Sequence, residues 1–314
     1  METTISIVLP AKNEGQNLHK LLPTLCEQFK HCEIVVVNDG STDNTAEVCS
    51  LHPVTLINHP YSMGNGAAIK SGARIATGNL LIFMDADGQH RIEDIPRLLE
   101  KFEEGYDMVV GARQNDTHAS LARRVANKFY NWLASVMTGY KVEDLTSGFR
   151  AVRARHFRKF LYLLPNGFSY PTTSTMAFFR SGLAVTYVPI RAQKREGNSK
   201  IRLLRDGLRF FLIIIKVGSL FSPMRLFLPV SLMLFLLGLG YYFFTFVTEH
   251  RFTNMSALLL TTSVLAFLIG ILSEQVSALH YKGIDEGQRR TRRDTPTVRN
   301  PQRNEPCEKH TEHP

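Results

Sequence analysis

Short apolar runs alternate with helical patterns along the first part of the chain. The apolar runs, which predict buried strands, lie at residues 5–9, 34–37, 54–57, 80–84 and 107–110. Helical patterns between them occupy residues 17–29, 45–50 and 64–76. Strands and helices that alternate at this spacing predict an α/β domain built on a parallel sheet with right-handed crossovers.

The last third of the chain contains two long runs without charged residues. The first spans residues 226–247, about 22 residues, and the second spans residues 256–273, about 18 residues. Each is long enough to cross a bilayer, although a buried helix of a soluble protein gives the same pattern. Two such runs near the end of a basic chain favour membrane-spanning helices.

These patterns divide the chain into four regions. Residues 1–200 form the α/β domain, and residues 226–279 form a two-helix transmembrane region. Between them, residues 201–225 mix basic and apolar positions in a way that predicts interfacial amphipathic helices. Residues 280–314 are polar and charged, which predicts a disordered basic tail.

The formal charge of +9 and the pI near 9.4 indicate an anionic partner: nucleic acid, a phosphorylated ligand or anionic lipid. The linker between the apolar runs, residues 248–255, contains Arg251 as its one fixed cation, whereas both outer flanks are rich in lysine and arginine. The positive-inside rule therefore predicts that the α/β domain and both termini are cytoplasmic.

Two carboxylates follow the apolar run at residues 80–84. Asp85 and Asp87 are separated by one residue, so they face the same way on an extended chain, and Gln89 continues the spacing. Ligands bind at the carboxyl ends of strands in open α/β sheets. Oxygen ligands of this kind suit Mg²⁺ or Mn²⁺, which keep positions for substrate phosphates. A metal site is one interpretation, and a strand followed by a polar turn is the other.

Two further loops also allow two interpretations each. The glycines of Gly64-Asn65-Gly66 precede a helix, where they either admit a phosphate or form a plain turn. Ile69 stands where a dinucleotide fingerprint needs its third glycine, so that fingerprint is absent. Asp39, at another strand end, either accepts hydrogen bonds from a ribose or base or is a solvated turn residue.

Basic residues follow the last of these strands. The run at residues 107–110 ends in Gly111-Ala112-Arg113, and a guanidinium at a strand end suits a phosphate. Residues 121–136 predict an amphipathic helix whose basic residues are Arg123, Arg124 and Lys128. Such a helix lies against phosphate or anionic lipid, or is simply solvated.

Taken together, four motifs in order resemble the family 2 glycosyltransferases, nucleotide-sugar enzymes of the GT-A type. They are Val8-Leu9-Pro10-Ala11-Lys12-Asn13-Glu14, Val37-Asn38-Asp39-Gly40-Ser41-Thr42-Asp43, Gly64-Asn65-Gly66-Ala67-Ala68 and Asp85-Ala86-Asp87-Gly88-Gln89. The resemblance implies that the donor is held by Pro10, Asn13, Glu14, Asp39 and Asp85. It also implies that a metal on the diphosphate is served by Asp85, Asp87 and Gln89, with Asp87 in a catalytic role.

The segment Asp144-Leu145-Thr146-Ser147-Gly148-Phe149-Arg150 resembles the polyprenyl-phosphate branch of that family, which includes dolichyl-phosphate mannose synthases. The segment Arg195-Glu196-Gly197-Asn198-Ser199-Lys200 matches the same branch. This resemblance implies catalytic roles for Arg113 and Asp144, and an acceptor-phosphate site formed by Arg113, Arg124, Ser147, Arg195 and Lys200. One departure is Thr172-Thr173-Ser174-Thr175, which stands where the branch often carries a glutamate.

The expected reaction is metal-dependent, inverting transfer of a sugar from a UDP- or GDP-sugar to a polyprenyl phosphate. The expected partners are the donor, the lipid acceptor and the membrane. Binding of nucleic acid is not expected, and a homo-oligomer is possible. A processive polysaccharide synthase is an alternative, but the sole tryptophan, Trp132, lies outside the Gln-x-x-Arg-Trp motif of such enzymes. A non-catalytic membrane scaffold with a nucleotide-sugar fold is a second alternative.

Overall fold

The computed structural model describes residues 4–114, 121–167, 169–191 and 223–293, together with a few positions between 211 and 219. Within these ranges, the side chains of residues 121–124, 126, 249 and 278–293 are not described. Residues 201–210 lie outside the described part of the chain, so the interfacial helices predicted there remain a prediction.

Strands and helices alternate as the sequence pattern predicts. The first half contains β1 (Ile5–Ala11), α1 (Gly15–Gln28), β2 (Glu33–Asn38), α2 (Thr45–Ser50), β3 (Thr55–Asn58), α3 (Asn65–Ile75), β4 (Leu80–Phe83), a 3₁₀ turn (Ile92–Asp94) and α4 (Ile95–Glu103). The second half contains β5 (Met108–Arg113), α5 (Leu121–Thr138), β6 (Arg150–Arg153), α6 (Ala154–Lys159), α7 (Tyr170–Arg180), β7 (Val185–Ile190), α8 (Pro223–Glu249) and α9 (Asn254–Arg293).

The seven strands form one sheet in the order β3-β2-β1-β4-β6-β5-β7. All neighbouring pairs are parallel except those of β6, which runs antiparallel to both β4 and β5. The predicted parallel sheet is therefore confirmed as mostly parallel, with one reversed strand. The sequence pattern did not predict β6, since Arg150-Ala-Val-Arg is too short and too polar to resemble a buried strand.

Helices cover both faces of the sheet, which explains why the strands are continuously apolar. Alternate residues of β1 face opposite layers: Val8 packs into a core with α3, α6 and α7, whereas Ile7 and Leu9 pack into a core with α1 and α4. Because both layers are filled by large apolar side chains, ligands have access at the edge where the parallel strands end.

Helices α8 and α9 are apolar enough to span a membrane. The candidate spans are Pro223–Thr248 and Asn254–Ser277, with mean hydropathies of 2.0 and 2.3. The two helices pack as a hairpin, in which the buried Ser231 hydroxyl donates to the carbonyl of Ser263 at 3.0 Å. The carboxylate of Glu274 accepts a hydrogen bond from the backbone nitrogen of Met224 at 3.3 Å, so it caps the start of α8.

Helix α9 continues beyond the predicted end of the transmembrane region at residue 279 and reaches Arg293. The disordered basic tail expected for residues 280–314 stays a prediction, since the side chains of residues 280–293 are not described. Residues 294–314 lie outside the described part, and disorder remains a prediction there.

The hairpin contacts the α/β domain at the end of α5. Arg225, in the first turn of α8, donates to the carbonyl oxygens of Val136 and Met137 at 3.1 and 3.2 Å. The last carbonyls of a helix lack intrahelical donors, and a cation there also complements the helix dipole. This contact holds α5 next to the first candidate membrane span.

Candidate active site

Asp85 and Asp87 lie where β4 ends. The carboxylate of Asp87 accepts a hydrogen bond from the backbone nitrogen of Gln89 at 3.1 Å, which closes a tight turn. Gly88, within this turn, has φ of +73°, a conformation that residues with a Cβ rarely adopt. The turn therefore presents three oxygen-bearing side chains, those of Asp85, Asp87 and Gln89, at one end of the sheet.

The carboxylate of Asp85 lies in a confined space. His90 Nε2 lies 3.5 Å from Asp85 Oδ2, and the His90 ring stacks on Phe149 with centroids 5.0 Å apart. Burial would raise the pKa of Asp85, but the hydrogen bond from His90 and the charges of Arg113 and Arg150 outweigh it, so its pKa is lowered. Asp85 is therefore an anion at neutral pH.

Gly148 makes room for this carboxylate. A Cβ added at Gly148 would lie 2.6 Å from Asp85 Oδ2. The Asp144–Arg150 segment, which is distant in sequence, thus forms the wall of the Asp85 site. This close approach explains why glycine occupies position 148, although the backbone there is not in the left-handed region.

The oxygen-rich turn is chemically suited to a hard divalent cation. Two carboxylates and one amide are enough when substrate phosphates and water complete the coordination shell. Among the described residues, no group of three histidine, cysteine, aspartate or glutamate side chains is placed to hold a metal by itself. The predicted set contains only two such residues, so a cation here depends on oxygen atoms of a bound substrate.

Asp144 and Arg113 form a bidentate ion pair. Arg113 Nε donates to Asp144 Oδ2 at 2.8 Å and Arg113 Nη2 donates to Asp144 Oδ1 at 3.0 Å. The carboxylate also accepts from the backbone nitrogens of Arg113, Thr146 and Ser147. Burial would raise the pKa of Asp144, but these donors outweigh it and its pKa is lowered.

Arg150 lies near this site, and the sequence analysis did not predict its burial. It is fully buried, with 0% of its surface exposed. Its Nη1 donates to the carbonyl of Pro171 at 3.0 Å and to the hydroxyls of Ser174 and Thr175 at 2.8 and 3.0 Å. Its Nη2 donates to the carbonyl of Ser147. The segment Thr172-Thr173-Ser174-Thr175 is where this chain departs from the polyprenyl-phosphate branch. It therefore supplies two of the hydroxyl groups that accept hydrogen bonds from the buried guanidinium of Arg150.

Asp39 is buried, with 4% of its surface exposed, so the interpretation as a solvated turn residue is wrong. Its carboxylate accepts hydrogen bonds from His59 Nδ1 at 2.8 Å, from the Ser62 hydroxyl at 2.9 Å and from the backbone nitrogens of Met63 and Gly64. Burial would raise its pKa, but these four donors outweigh it and the pKa is lowered. Asp39 holds the loop between β3 and α3, and its contact with a nucleotide remains a prediction.

The other predicted donor residues gather at the ends of β1 and β2. Pro10 pairs in register with Val37, and Asn13, with φ of +56°, accepts a hydrogen bond from the backbone nitrogen of Thr42 at 2.8 Å. Glu14 accepts a hydrogen bond from the Asn17 amide at 2.6 Å. The structure thus brings the first two sequence motifs together at one edge of the sheet.

The start of α3 is closed by protein rather than open to a phosphate. The backbone nitrogens of Gly66 and Ala67 donate to the carbonyls of Gly167 and Asn166 at 3.2 and 2.8 Å. A Cβ at Gly66 would lie 2.0 Å from the carbonyl oxygen of Pro165. The glycines are therefore needed for close packing, and the phosphate interpretation of Gly64-Asn65-Gly66 is not supported.

The structure describes only part of the predicted acceptor site. Ser147 is buried, and its hydroxyl has no hydrogen-bond partner among the described residues. Arg195 and Lys200 lie outside the described residues, as does the side chain of Arg124. Their assignment to the acceptor phosphate remains a prediction.

Residues 6–161 match the family model described as glycosyl transferase family 2, and residues 222–279 match the model described as the GtrB C-terminal hairpin. Residues 6–161 form a glycosyl transferase family 2 domain. The second match covers the hairpin of α8 and the first part of α9. It accords with the polyprenyl-phosphate branch that the segment at residues 144–150 resembles, because a family 2 domain is followed by two apolar helices.

Solved structures of glucosyl-3-phosphoglycerate synthase from Mycobacterium tuberculosis are similar in fold. The complex with phosphoglyceric acid has a TM-score of 0.58 and 18% identity, and the match covers 69% of this chain and 80% of that chain. The complex with Mn²⁺, UDP and glucosyl-3-phosphoglycerate has a TM-score of 0.55 and 19% identity, covering 68% and 80%. At this identity the likeness establishes a GT-A-like α/β fold, in agreement with the predicted fold class.

The Gly148 contact gives a specific expectation. In a Gly148→Ala variant the new methyl group displaces the Asp85 carboxylate, so we expect the Mn²⁺ concentration for half-maximal sugar transfer to rise about 10–100-fold. Metal titration of the transfer rate measures this. Gly167→Ala is the matched control, because a Cβ at Gly167 meets nothing within 4 Å. An unchanged metal requirement in Gly148→Ala contradicts the role of this wall.

Proposed function

We propose that the protein transfers a sugar, with inversion, from a UDP- or GDP-sugar to a polyprenyl phosphate at the cytoplasmic face of a membrane. The observation that carries this proposal is the pairing, in one chain, of the Asp85–Asp87 turn on a family 2 glycosyltransferase fold with a membrane hairpin. A membrane-anchored transferase is suited to an acceptor that is itself confined to the bilayer.

A divalent cation, Mg²⁺ or Mn²⁺, would be held by Asp85, Asp87 and Gln89. When bound, it supplies charge stabilisation for the departing nucleoside diphosphate. The similar mycobacterial synthase binds Mn²⁺ together with UDP, which supports a metal of this kind. Asp85 contributes an ionised carboxylate at neutral pH, because its pKa is lowered.

The acceptor requires little help from a general base. A phosphate monoester has its second pKa near 6, so it is largely a dianion at neutral pH. Asp144 is also poorly suited to accept a proton, because Arg113 and three backbone donors hold its pKa below the usual range. We infer that Asp144 acts by fixing Arg113, whose guanidinium then contributes positive charge to the reaction site.

Helix α5 presents an apolar stripe that suits the membrane surface. Val125, Phe129, Trp132 and Val136 follow a helical spacing and are all exposed, Trp132 by 59%. The stripe ends next to Arg225, where the hairpin begins. An exposed face of this composition favours the membrane surface over a simply solvated helix, and tryptophan is enriched at membrane interfaces.

The sole tryptophan reports directly on this stripe. In wild-type protein reconstituted into vesicles, we expect lipids brominated on their acyl chains to quench Trp132 fluorescence strongly, because the indole lies in the interface. Iodide in the aqueous phase is expected to quench weakly, and Trp132→Phe provides the background. Strong quenching by iodide without quenching by brominated lipid contradicts the membrane contact.

The membrane topology is a separate expectation. Nucleotide sugars occur in the cytoplasm, so the α/β domain and both termini belong on that side, with residues 248–255 on the opposite side. In a background without native cysteines, a cysteine at position 254 should react with an impermeant thiol reagent added outside intact cells, and one at position 295 should not. Labelling at position 295 alone would show that the topology is inverted and that the α/β domain lies on the opposite side of the membrane from its donor.

The reaction itself is tested with radiolabelled donors. Purified protein in vesicles that contain polyprenyl phosphate is offered a panel of UDP- and GDP-sugars, and the lipid product is extracted and counted. Transfer of one label to a single lipid species supports the proposal. Growth of a polymer indicates the processive alternative, whereas binding of a donor without any transfer indicates the scaffold alternative.

A further inference from the structure

A cavity of about 280 Å³ opens beside the active site, at the ends of β5 and β7. It is lined by Arg91, Asp94, Arg97, Gln114, Pro189 and Arg191. None of these residues belongs to the predicted donor, metal or acceptor sets. Arg91 nevertheless links the lining to the turn that carries Asp85, because it directly follows His90, whose Nε2 lies 3.5 Å from Asp85 Oδ2.

One wall of the cavity is fixed by Arg97. Its Nη1 donates to Asp94 Oδ1 at 2.6 Å, and its Nη2 donates to the carbonyl of Pro189 at 2.8 Å. These bonds tie the start of α4 to β7. The opposite strand end is held because the backbone nitrogen of Gln114 donates to the carbonyl of Ile190 at 3.1 Å. The cavity is therefore shaped by contacts within the protein before any ligand arrives.

The charge of the lining is strongly positive. Three guanidinium groups face one carboxylate, that of Asp94, which leaves a net charge of two positive units. The guanidinium of Arg97 already pairs with Asp94, whereas those of Arg91 and Arg191 have no hydrogen-bond or ion-pair partner among the residues that the structure describes. Two cations without partners at the mouth of a preformed cavity are suited to an anion.

We propose that this cavity binds a phosphate monoester group. Such a group carries a charge of about −1.5 to −2 at neutral pH, which matches the lining. Guanidinium binds phosphate oxygens in a bidentate manner, and the Gln114 amide offers a further donor. The volume lies just below the range of about 300–1,000 Å³ for small-ligand pockets, so it accommodates a phosphate with a small adjoining group.

The phosphate has two possible sources, a lipid phosphate in the membrane or a free phosphorylated compound. The lipid source rests on the proposed function and adds Arg91 and Arg191 to the residues that recognise the acceptor. If the phosphate belongs to a free compound, the cavity is a second anion site, which Arg91 connects to the proposed metal-binding turn. The chemistry of recognition is the same in both cases.

The binding test uses the full chain in neutral detergent and inorganic phosphate as the probe. Isothermal titration calorimetry should show saturable binding to the wild type, about tenfold weaker in Arg91→Gln and in Arg191→Gln, since each loses one charge-assisted contact. Arg74→Gln, an exposed arginine of α3, removes the same charge elsewhere and should bind like the wild type. Absence of binding to the wild type overturns the proposal, as does equal binding by all four proteins.

Kinetics with polyprenyl phosphate in vesicles then separate the two sources. If the phosphate belongs to the lipid, both cavity variants raise KM for the lipid about tenfold, with kcat nearly unchanged. If it belongs to a free compound, KM for the lipid stays at the wild-type value while phosphate binding remains weakened. If the wild type transfers no sugar to the lipid, the proposed function fails, but the calorimetric result still decides whether the cavity binds phosphate.

Discussion

Replacement of Asp87 by asparagine is expected to reduce sugar transfer by about 10³-fold while the protein remains folded. In the proposed metal site the carboxylate would lie beside a diphosphate-bound cation, and loss of one electrostatic stabiliser of developing charge typically costs about 10²–10³ in rate. Loss of metal binding adds to this effect. Asp87 is partly exposed at the end of β4, so the substitution removes little packing.

The measurement is the initial rate of transfer at saturating donor, with Mg²⁺ or Mn²⁺ varied. Glu93→Gln is the matched control, because Glu93 is an exposed acidic residue six positions further along the chain and its loss changes the net charge equally. A chelator should abolish the wild-type rate, and added metal should restore it. Full activity of Asp87→Asn at saturating donor would refute the metal assignment.

Replacement of Arg150 by alanine is expected to have the largest effect on stability. It leaves a cavity at a fully buried position and removes the donors for the carbonyls of Ser147 and Pro171. Cavity formation and unsatisfied polar groups together are expected to lower the free energy of unfolding by about 3–5 kcal/mol. For a domain of this size, that corresponds to a fall in the unfolding temperature of about 10 °C.

Thermal unfolding in detergent, followed by circular dichroism, measures this loss. Arg153→Ala is a close control, because Arg153 lies on the same strand but is partly exposed and pairs with Asp107 at 3.1 Å. An ion pair of that kind contributes about 0–1 kcal/mol. Equal unfolding temperatures for the two variants would show that the buried guanidinium does not stabilise the loop that carries Ser147 and Gly148.

The elements that could be predicted from the sequence are those specified by local pattern. Strands β1, β2 and β4 are apolar on both faces, so a short continuous run is enough to identify them. The two candidate membrane helices are identified in the same way, by length and hydropathy. The position of Asp85 and Asp87 at a strand end follows from the adjacent run, so the candidate metal site could be placed without any knowledge of tertiary contacts.

The elements that escaped prediction depend on residues distant in sequence. Strand β6 is short and begins with a charged residue, and it forms because β4 and β5 offer backbone partners on both sides. Arg150 is buried only because hydroxyls and carbonyls of the Tyr170–Arg180 helix and of Ser147 surround it. No periodicity within β6 itself indicates that a charge would be enclosed there.

The same division applies to the candidate site. By itself the sequence determined which residue types stand at the ends of the strands, since motif order and strand pattern are local properties. Only the tertiary structure decided what each side chain contacts: Asp39 holds a loop, Arg113 pairs with Asp144, and Gly148 makes room for Asp85. The physical reason is that the hydrogen bonds and burial of a side chain depend on contacts between segments that are distant in sequence. These contacts form only when the whole chain folds, so no local pattern reveals them.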